Sequence, residues 1–267
     1  MKGLKNPMFN KNFKRFLAVF IAAVMSLSLL CSCNPENTKK FLNMLEEYSS
    51  ATMSDVSGSD TESTAFSLDD IPEFDGSSPY AEVNGNVPYF TSDEITARSY
   101  EFYSELDELG RCGMTIACVG TDIMPTEKRG KIGQVKPTGW HTVRYDDLIK
   151  DKYLYNRCHL LGYQLTGENA NVRNLITGTR YLNVDGMLPF ENEIADYVKD
   201  TKNHVMYRVT PIFVGDELVA RGVLMEALSV EDNGNGVKFN IFCYNNQPGI
   251  TIDYATGDSW RTKTSKK

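Results

Sequence analysis

The segment from Tyr155 to Asn183 carries side chains that could handle a phosphate and a metal ion together. It reads YNRCHLLGYQLTGENANVRNLITGTRYLN, with Arg157 and His159 inside an apolar, strand-like run and five asparagines along its length. Buried strands seldom hold both Arg and His, and asparagine is a poor helix former. These residues therefore either satisfy local hydrogen bonds or bind a metal ion and a phosphate.

His159 is the histidine best suited to proton transfer. An imidazole with an ordinary pKa of about 6.5 is mostly neutral at pH 7 and can take a proton from water. A lone strand histidine more commonly packs in the core, and packing or surface positions are expected for His141 and His204. The forked donors of Arg157 suit a phosphate, although an internal acid is the alternative partner.

The whole segment resembles the core of the DNA/RNA non-specific endonuclease family, the ββα-metal or His-Me finger nucleases. In particular it is similar to exported DNases and DNA-uptake nucleases of Gram-positive bacteria. The family motif Asp-Arg-Gly-His corresponds here to residues 156–159, Asn-Arg-Cys-His. The likeness continues through LLGYQLTG, NVRNL, TRYLN and FEN and covers roughly residues 85–255. It implies an exported, metal-dependent endonuclease that hydrolyses phosphodiester bonds of DNA, with RNA as a further substrate.

The resemblance also implies roles for individual side chains. His159 would be the general base that activates water, and Asn183 would bind one Mg²⁺, with Mn²⁺ as the alternative cation. Glu191 would be catalytic by acting on the metal through its waters; its alternative is an ordinary acid on a helix surface. Arg157 would be both catalytic and substrate-binding, because it neutralises phosphate. Asn174 corresponds to a further family asparagine beside the site and is an expected substrate contact. Apart from the resemblance, Arg144, Arg173 and Arg180 are weaker candidates for contacts with the nucleic-acid backbone, and a solvated position is the alternative for each.

Two positions depart from the family motif. Asn156 replaces the acid, so any role for a negative charge there is lost, and Cys158 replaces the glycine, so its backbone should be ordinary extended strand. A second hypothesis follows: an exported nucleic-acid-binding surface lipoprotein whose catalysis is impaired. A third makes Cys158 a nucleophile with His159 as its base, but neighbouring strand residues face opposite sides and are poorly placed for proton transfer.

The surrounding pattern predicts an α+β domain, and the resemblance gives it a ββα-metal core with a central antiparallel sheet and flanking helices. A helix is expected over residues 91–111, a strand in CGMTIACVG, a Gly- and Pro-rich loop, and a strand over YLYNRCHLLGYQL. NLITGTRYLN should begin a helix that is interrupted near Gly186 and Pro189 and continues as FENEIADYVKDTK. Four further strands follow, the first two joined at Gly215-Asp216.

The chain before this domain indicates export followed by a tether. Residues 1–33 combine five basic residues with an apolar run that ends in LLCSC; this resembles a lipoprotein signal, which would leave a lipid anchor at Cys33 as the contact with the membrane. An ordinary secretory signal is the alternative. Residues 34–78 have a net charge of −8 and almost no apolar periodicity, which predicts a disordered tether, with a short helix at TKKFLNMLEEYSS as an option.

Residues 79–267 should form the endonuclease domain, and its charge is unevenly distributed. The chain carries −7 overall and this region −4, yet residues 128–180 carry +6. A solvated face would explain such a stretch, but it coincides with the Arg-His segment, where a polyanion would bind. No obligate protein partner is indicated. Two disulfides or free buried thiols are both compatible with the cysteines of the domain, Cys112, Cys118, Cys158 and Cys243.

Overall fold

The computed structural model describes residues 66–263, and antiparallel strand pairing organises this part of the chain. Its strands are β1 (Tyr80–Glu82), β2 (Tyr100–Tyr103), β3 (Thr115–Val119), β4 (Tyr155–His159), β5 (Leu175–Thr179), β6 (Val205–Ile212), β7 (Gly222–Ser229), β8 (Lys238–Tyr244), β9 (Ile250–Ile252) and β10 (Ser259–Arg261). Its helices are α1 (Tyr163–Thr166) and α2 (Leu188–Thr201), the latter preceded by a π-helical turn (Leu182–Met187). Among these described helices, none has the length and apolar character needed to cross a bilayer.

Six strands form the main sheet, in the order β1-β8-β7-β6-β3-β2, and every neighbouring pair is antiparallel. Nearly all of β7 is buried, because both faces of the sheet are covered. One face belongs to the largest core cluster, to which α2 contributes Ile194 and Val198. The other face packs against aromatic residues from the N-terminal end of the described chain, including Phe66 and Phe74. Burial on both faces explains why the central strands are apolar runs.

The prediction of a disordered tether over residues 34–78 is wrong at its C-terminal end. Phe66 stacks on Phe242 of β8 with ring centroids 6.0 Å apart, and Phe74 lies 5.4 Å from the ring of Tyr244. Isolated aromatic residues in an acidic segment give no periodic signal, and their burial depends on a sheet built from residues far along the chain. The leader, the lipid anchor and the rest of the predicted tether lie outside the described residues.

A hairpin followed by a helix holds the Arg-His segment. β4 and β5 pair antiparallel, with His159 opposite Leu175 and Asn156 opposite Gly178. After β5 the chain passes through the π-helical turn into α2. This ββα unit and the antiparallel main sheet confirm the predicted α+β fold class.

Two helix predictions are wrong, one for residues 175–179 inside this unit and one for residues 91–111 before it. Residues 175–179 were expected to start a helix but form β5, because they pair with β4 along their whole length. The predicted interruption does not occur: Gly186 lies inside the π-helical turn, and Pro189 lies in the first turn of α2, where a missing amide proton costs little. In residues 91–111, all of them described, the regular element is the edge strand β2, which gains hydrogen bonds from β3.

The predicted strand over residues 153–165 is right only for Tyr155–His159, because Tyr163–Thr166 form α1, and the other strand predictions are confirmed. β3 ends immediately before Gly120, and β6 and β7 are joined through a turn that contains Gly215 and Asp216. The last predicted strand forms β9, which pairs with β10 as a separate two-stranded sheet instead of extending the main one. Sequence alternation identifies a strand but does not choose its neighbour.

Candidate active site

β4 divides its side chains between two surroundings. Asn156 and Cys158 contact Asn183 at the start of the helical segment. Arg157 and His159 instead contact the loop that precedes the strand. The alternation follows from the period of two along a strand, and it confirms that residue 158 has an ordinary extended backbone.

His159 is held as a neutral imidazole with one defined acceptor atom. Its Nε2 lies 2.7 Å from the carbonyl oxygen of Asn169, and because a carbonyl only accepts, Nε2 carries the proton. Nδ1 is therefore the acceptor, and Nη2 of Arg129 donates to it at 3.1 Å. Burial lowers the pKa of His159 from 6.5 to about 4, and the charge of Arg129 adds to the decrease. Nδ1 is thus the ring atom with a lone pair for a proton, and Arg129 occupies it in this structure.

Arg129 belongs to a basic loop, defined here as residues 128–137, which Arg157 attaches to β4. Nη2 of Arg157 donates to the carbonyl oxygen of Gly133 at 2.9 Å, and its Nε donates to a second carbonyl of the loop. The guanidinium also lies 4.0 Å from the centre of the Trp140 ring. Arg157 thus pairs with backbone carbonyls instead of the internal acid considered as its alternative, and it positions the loop that carries Arg129.

Glu191, in the first turn of α2, is a buried carboxylate with no hydrogen-bond partner within residues 66–263. Only 8 % of the residue is exposed, and a Cβ at the neighbouring Gly162 would lie 2.7 Å from the carboxylate. Burial raises the pKa of Glu191 from 4.5 to about 8, opposed by the charge of Arg129. With this pKa the group is largely protonated at pH 7 in the metal-free protein, and a nearby cation would favour its ionised form. The alternative of an exposed helix-surface acid does not describe this residue.

Asn183 lies in the π-helical turn and borders a pocket of about 470 Å³. Its Oδ1 accepts a hydrogen bond from the Cys158 thiol at 3.2 Å, and its Nδ2 donates to Oδ1 of Asn156 at 3.1 Å. An amide oxygen at the edge of this pocket suits a hard divalent cation that keeps most of its water ligands, whereas Glu191 and His159 do not line the pocket. The pocket is lined by Arg129, Ile132, Trp140, Thr142, Tyr153, Tyr155, Asn156, Arg157, Arg180 and Asn183.

The span that contains these side chains matches a known family. A family model described as DNA/RNA non-specific endonuclease matches residues 90–231, just over half of the chain. The match includes the complete ββα unit together with β2, β3, β6 and β7. The chain belongs to the DNA/RNA non-specific endonuclease family. Membership confirms the resemblance that the motif around His159 indicated.

Individual relatives of this endonuclease-family protein agree with the assignment. A deoxyribonuclease from Streptococcus dysgalactiae subsp. equisimilis is 32% identical over 114 residues; the match spans 40% of this chain and 33%, about one third, of that protein. NucA from Streptococcus agalactiae, solved with a magnesium ion bound, is 26% identical with a TM-score of 0.60, covering 70% of this chain and 91% of NucA. Sda1 nuclease, solved with a bound zinc ion, is 29% identical with a TM-score of 0.52, covering 61% and 81%.

The other arginines of this family member differ in their access to the pocket. Arg180 lines it while also forming an ion pair with Asp151. Arg144 and Arg173 form ion pairs with acids at 2.7 and 2.5 Å, and neither lines the pocket beside Asn183. Exposed ion pairs of this kind are weak and exchange readily. Of these three predicted backbone contacts, the structure brings Arg180 to the pocket.

Asn174 has a structural position instead of the predicted contact with substrate. It lies in a 3₁₀ turn just before β5 and is fully buried. Its Oδ1 accepts from the backbone amide of Leu161 at 2.8 Å, and its Nδ2 donates to the carbonyl oxygen of the same residue at 3.0 Å. Both ends of the amide thus tie the chain after β4 to the start of β5.

Cys158 has no geometry for the thiol-nucleophile hypothesis. The thiol donates to Asn183, whereas both ring nitrogens of His159 are bonded to other groups. Cys158 is completely buried, and this burial raises the pKa of its thiol. The four cysteines of the described chain are all buried and free, so of the two predicted states, disulfides or free buried thiols, the structure has the free thiols.

Arg129 is the site residue that the sequence did not single out. It lies 30 residues before His159 along the chain, inside a charged stretch noticed only for its overall positive charge. Its contact with Nδ1 and its influence on the pKa of Glu191 arise when the basic loop folds over β4. The sequence feature that could have pointed to Arg129 is the basic cluster EKRGK in a Gly-rich loop.

Proposed function

We propose that the protein is a divalent-metal-dependent endonuclease that hydrolyses phosphodiester bonds in DNA, and in RNA as a second substrate. The observation that carries this proposal is the neutral His159 with Nδ1 as its acceptor, paired to Arg129, whose charge also acts on the buried carboxyl group of Glu191. A base, a mobile cation for phosphate and an oxygen-rich site for a metal are the requirements of phosphodiester hydrolysis.

In the proposed reaction, Nδ1 of His159 takes a proton from the attacking water. The carbonyl of Asn169 holds the proton on Nε2, so the ring keeps one tautomer and stabilises the imidazolium that forms. Arg129 leaves Nδ1 and pairs with the scissile phosphate, which both admits the water and neutralises developing charge. The phosphate's negative charge then raises the pKa of His159 from its low value in the closed site.

Asn183 and Glu191 are the proposed residues for holding the cation, Mg²⁺ in the first instance and Mn²⁺ as an alternative. Asn183 would bind through Oδ1, and Glu191 would act through water, as an anion that favours the divalent charge. The cation supplies charge stabilisation to the phosphate and its departing 3′-oxygen. Support for a metal comes from NucA, solved with magnesium, and from Sda1 nuclease, solved with zinc.

Binding to nucleic acid is proposed to involve the phosphodiester backbone more than the bases. Arg129, Arg157 and Arg180 line the pocket beside Asn183. Contacts from arginine to phosphate position a strand without identifying its sequence, so weak sequence preference is expected. Arg144 and Arg173 would add contacts only if their surface ion pairs exchange for phosphate.

Cleavage of plasmid DNA by the purified chain without residues 1–33 tests this function. Nicking and degradation are expected with Mg²⁺ and not with EDTA, and His159→Ala should cleave in Mg²⁺ at a rate lower by about 10² to 10⁴-fold. The second hypothesis, a nucleic-acid-binding lipoprotein with impaired catalysis, is favoured by Asn156 and Cys158 in the family motif. Salt-sensitive binding to DNA without metal-dependent cleavage would select that hypothesis instead.

Export is proposed from the N-terminal pattern, with the protein either anchored at the cell surface or released. The support is the basic and apolar leader that ends in LLCSC. Metabolic labelling with palmitate should mark the wild-type chain and not Cys33→Ser if the lipid anchor is correct. Secretion of an unlabelled wild-type protein would select the ordinary signal peptide.

A further inference from the structure

The two departures from the family motif meet at a single side chain. Asn156 and Cys158 lie on the same face of β4, and both bond the carboxamide of Asn183. We propose that Cys158, acting with Asn156, fixes the rotation of the Asn183 carboxamide and is thereby a positioning residue for the divalent cation. The inference rests on the proposed function, in which Asn183 binds that cation.

Hydrogen-bond polarity determines which way the carboxamide faces. Arg180 can only donate, and its Nη1 lies 3.4 Å from the Asn156 side chain, so the atom facing it must be Oδ1. That same Oδ1 accepts from Asn183, which requires Nδ2 of Asn183 on this side. Oδ1 of Asn183 is therefore directed to the Cys158 thiol, the donor on the other side. Exchanging the two ends of the amide would break this sequence of donors and acceptors.

The position of the thiol is fixed by packing around it. Cys158 is completely buried, and its Sγ also lies 3.4 Å from Sδ of Met187. On the paired strand, Gly178 provides the space, because a Cβ there would lie 2.6 Å from Cβ of Cys158. The family motif has glycine where this chain has Cys158, and Gly178 accommodates the added side chain. Packing thus holds Sγ beside Asn183, whose amide oxygen is a stronger acceptor for the one thiol proton than the thioether of Met187.

One hydrogen bond from the thiol can orient Oδ1 of Asn183 and still leave this oxygen able to bind a cation. The amide oxygen has two lone pairs, so one can accept from Sγ and the other would remain available to a cation. A thiol is a weak donor and takes little electron density from the oxygen. Groups that orient a metal ligand typically change metal affinity by about 10- to 100-fold when they are removed. Because the thiol bond is weak, we expect the lower end, about tenfold.

The test is Mn²⁺ binding to the purified chain without nucleic acid, measured by electron paramagnetic resonance titration. Cys158→Ala should raise the Kd about tenfold, and Cys158→Ser, which keeps a donor, should stay within about twofold of wild type. Cys118→Ala is the matched control: Cys118 is also completely buried, but its thiol bonds a backbone carbonyl away from Asn183. This control should bind Mn²⁺ like the wild type, while thermal melting confirms that each variant is folded.

The outcomes separate the inference from the proposed function. Wild-type affinity in Cys158→Ala overturns the positioning role, and so does equal weakening in the Ser and Ala variants, because the donor would then be irrelevant. If wild type binds no Mn²⁺, or if Asn183→Ala binds it unchanged, the proposed metal site fails and the inference fails with it. Weakening in Cys158→Ala but not in Cys158→Ser, together with weakened binding in Asn183→Ala, supports both.

Discussion

Glu191→Gln should stabilise the metal-free protein at alkaline pH while it impairs cleavage. The carboxylate of Glu191 is buried, and its pKa is raised from 4.5 to about 8. Between these values the folded chain keeps a proton that the unfolded chain releases. The folded state then binds more protons than the unfolded state, so stability falls as pH rises from about 4.5 to about 8. Glutamine is neutral throughout and escapes this loss.

The size of the effect follows from the change in pKa. At about 1.4 kcal/mol per pKa unit, the shift gives an upper limit on the order of 5 kcal/mol. Glu191 is still 8 % exposed, so water can relax part of the penalty, and we expect an observed gain of about 2 to 4 kcal/mol at pH 9. The difference between variant and wild type should shrink steadily towards pH 5.

Urea unfolding in EDTA, followed by circular dichroism at several pH values, measures this difference. Asp196→Asn is the control, because Asp196 is an exposed acid on the same helix. Its substitution should leave the pH profile unchanged. Adding Mg²⁺ at pH 8 should stabilise wild type and not Glu191→Gln. Equal unfolding free energies for wild type and Glu191→Gln at pH 9 would refute the idea that an unpartnered carboxylate is held there for a cation.

Three further substitutions test the remaining parts of the site. His159→Ala should lower cleavage by at least about 10² to 10⁴-fold without unfolding the chain, whereas His204→Ala should retain activity; a plasmid-nicking assay with circular dichroism checks both. Asn183→Ala should weaken Mn²⁺ binding by about 10- to 100-fold, measured by calorimetry, and wild-type affinity would remove it from the metal site. Arg157→Ala should release the basic loop, raising KM in a salt-dependent way and exposing residues 128–137 to trypsin; unchanged proteolysis would contradict its anchoring role.

Short-range patterns were sufficient for much of the fold and for the family. The strands of the central sheet are apolar runs, and the Asn-Arg-Cys-His sequence with its following asparagines indicated the family and placed His159 at the site. The proposed roles of Glu191 and Asn183 come in the same way from their place in the motif. Apolar runs and short motifs depend only on residues that are close together in the chain, so they can be identified from a single sequence.

Contacts between distant residues account for what the sequence left undecided or predicted wrongly. β2 and β5 were predicted as helix, and only their hydrogen bonds to β3 and β4 make them strands. Arg129 acquires a role because its loop folds onto His159, and Phe66 becomes ordered because Phe242 offers a surface. Local propensities differ by a few tenths of a kcal/mol per residue, whereas pairing and burial contribute several times more. The energies of strand pairing and burial between distant residues exist only once the chain has folded.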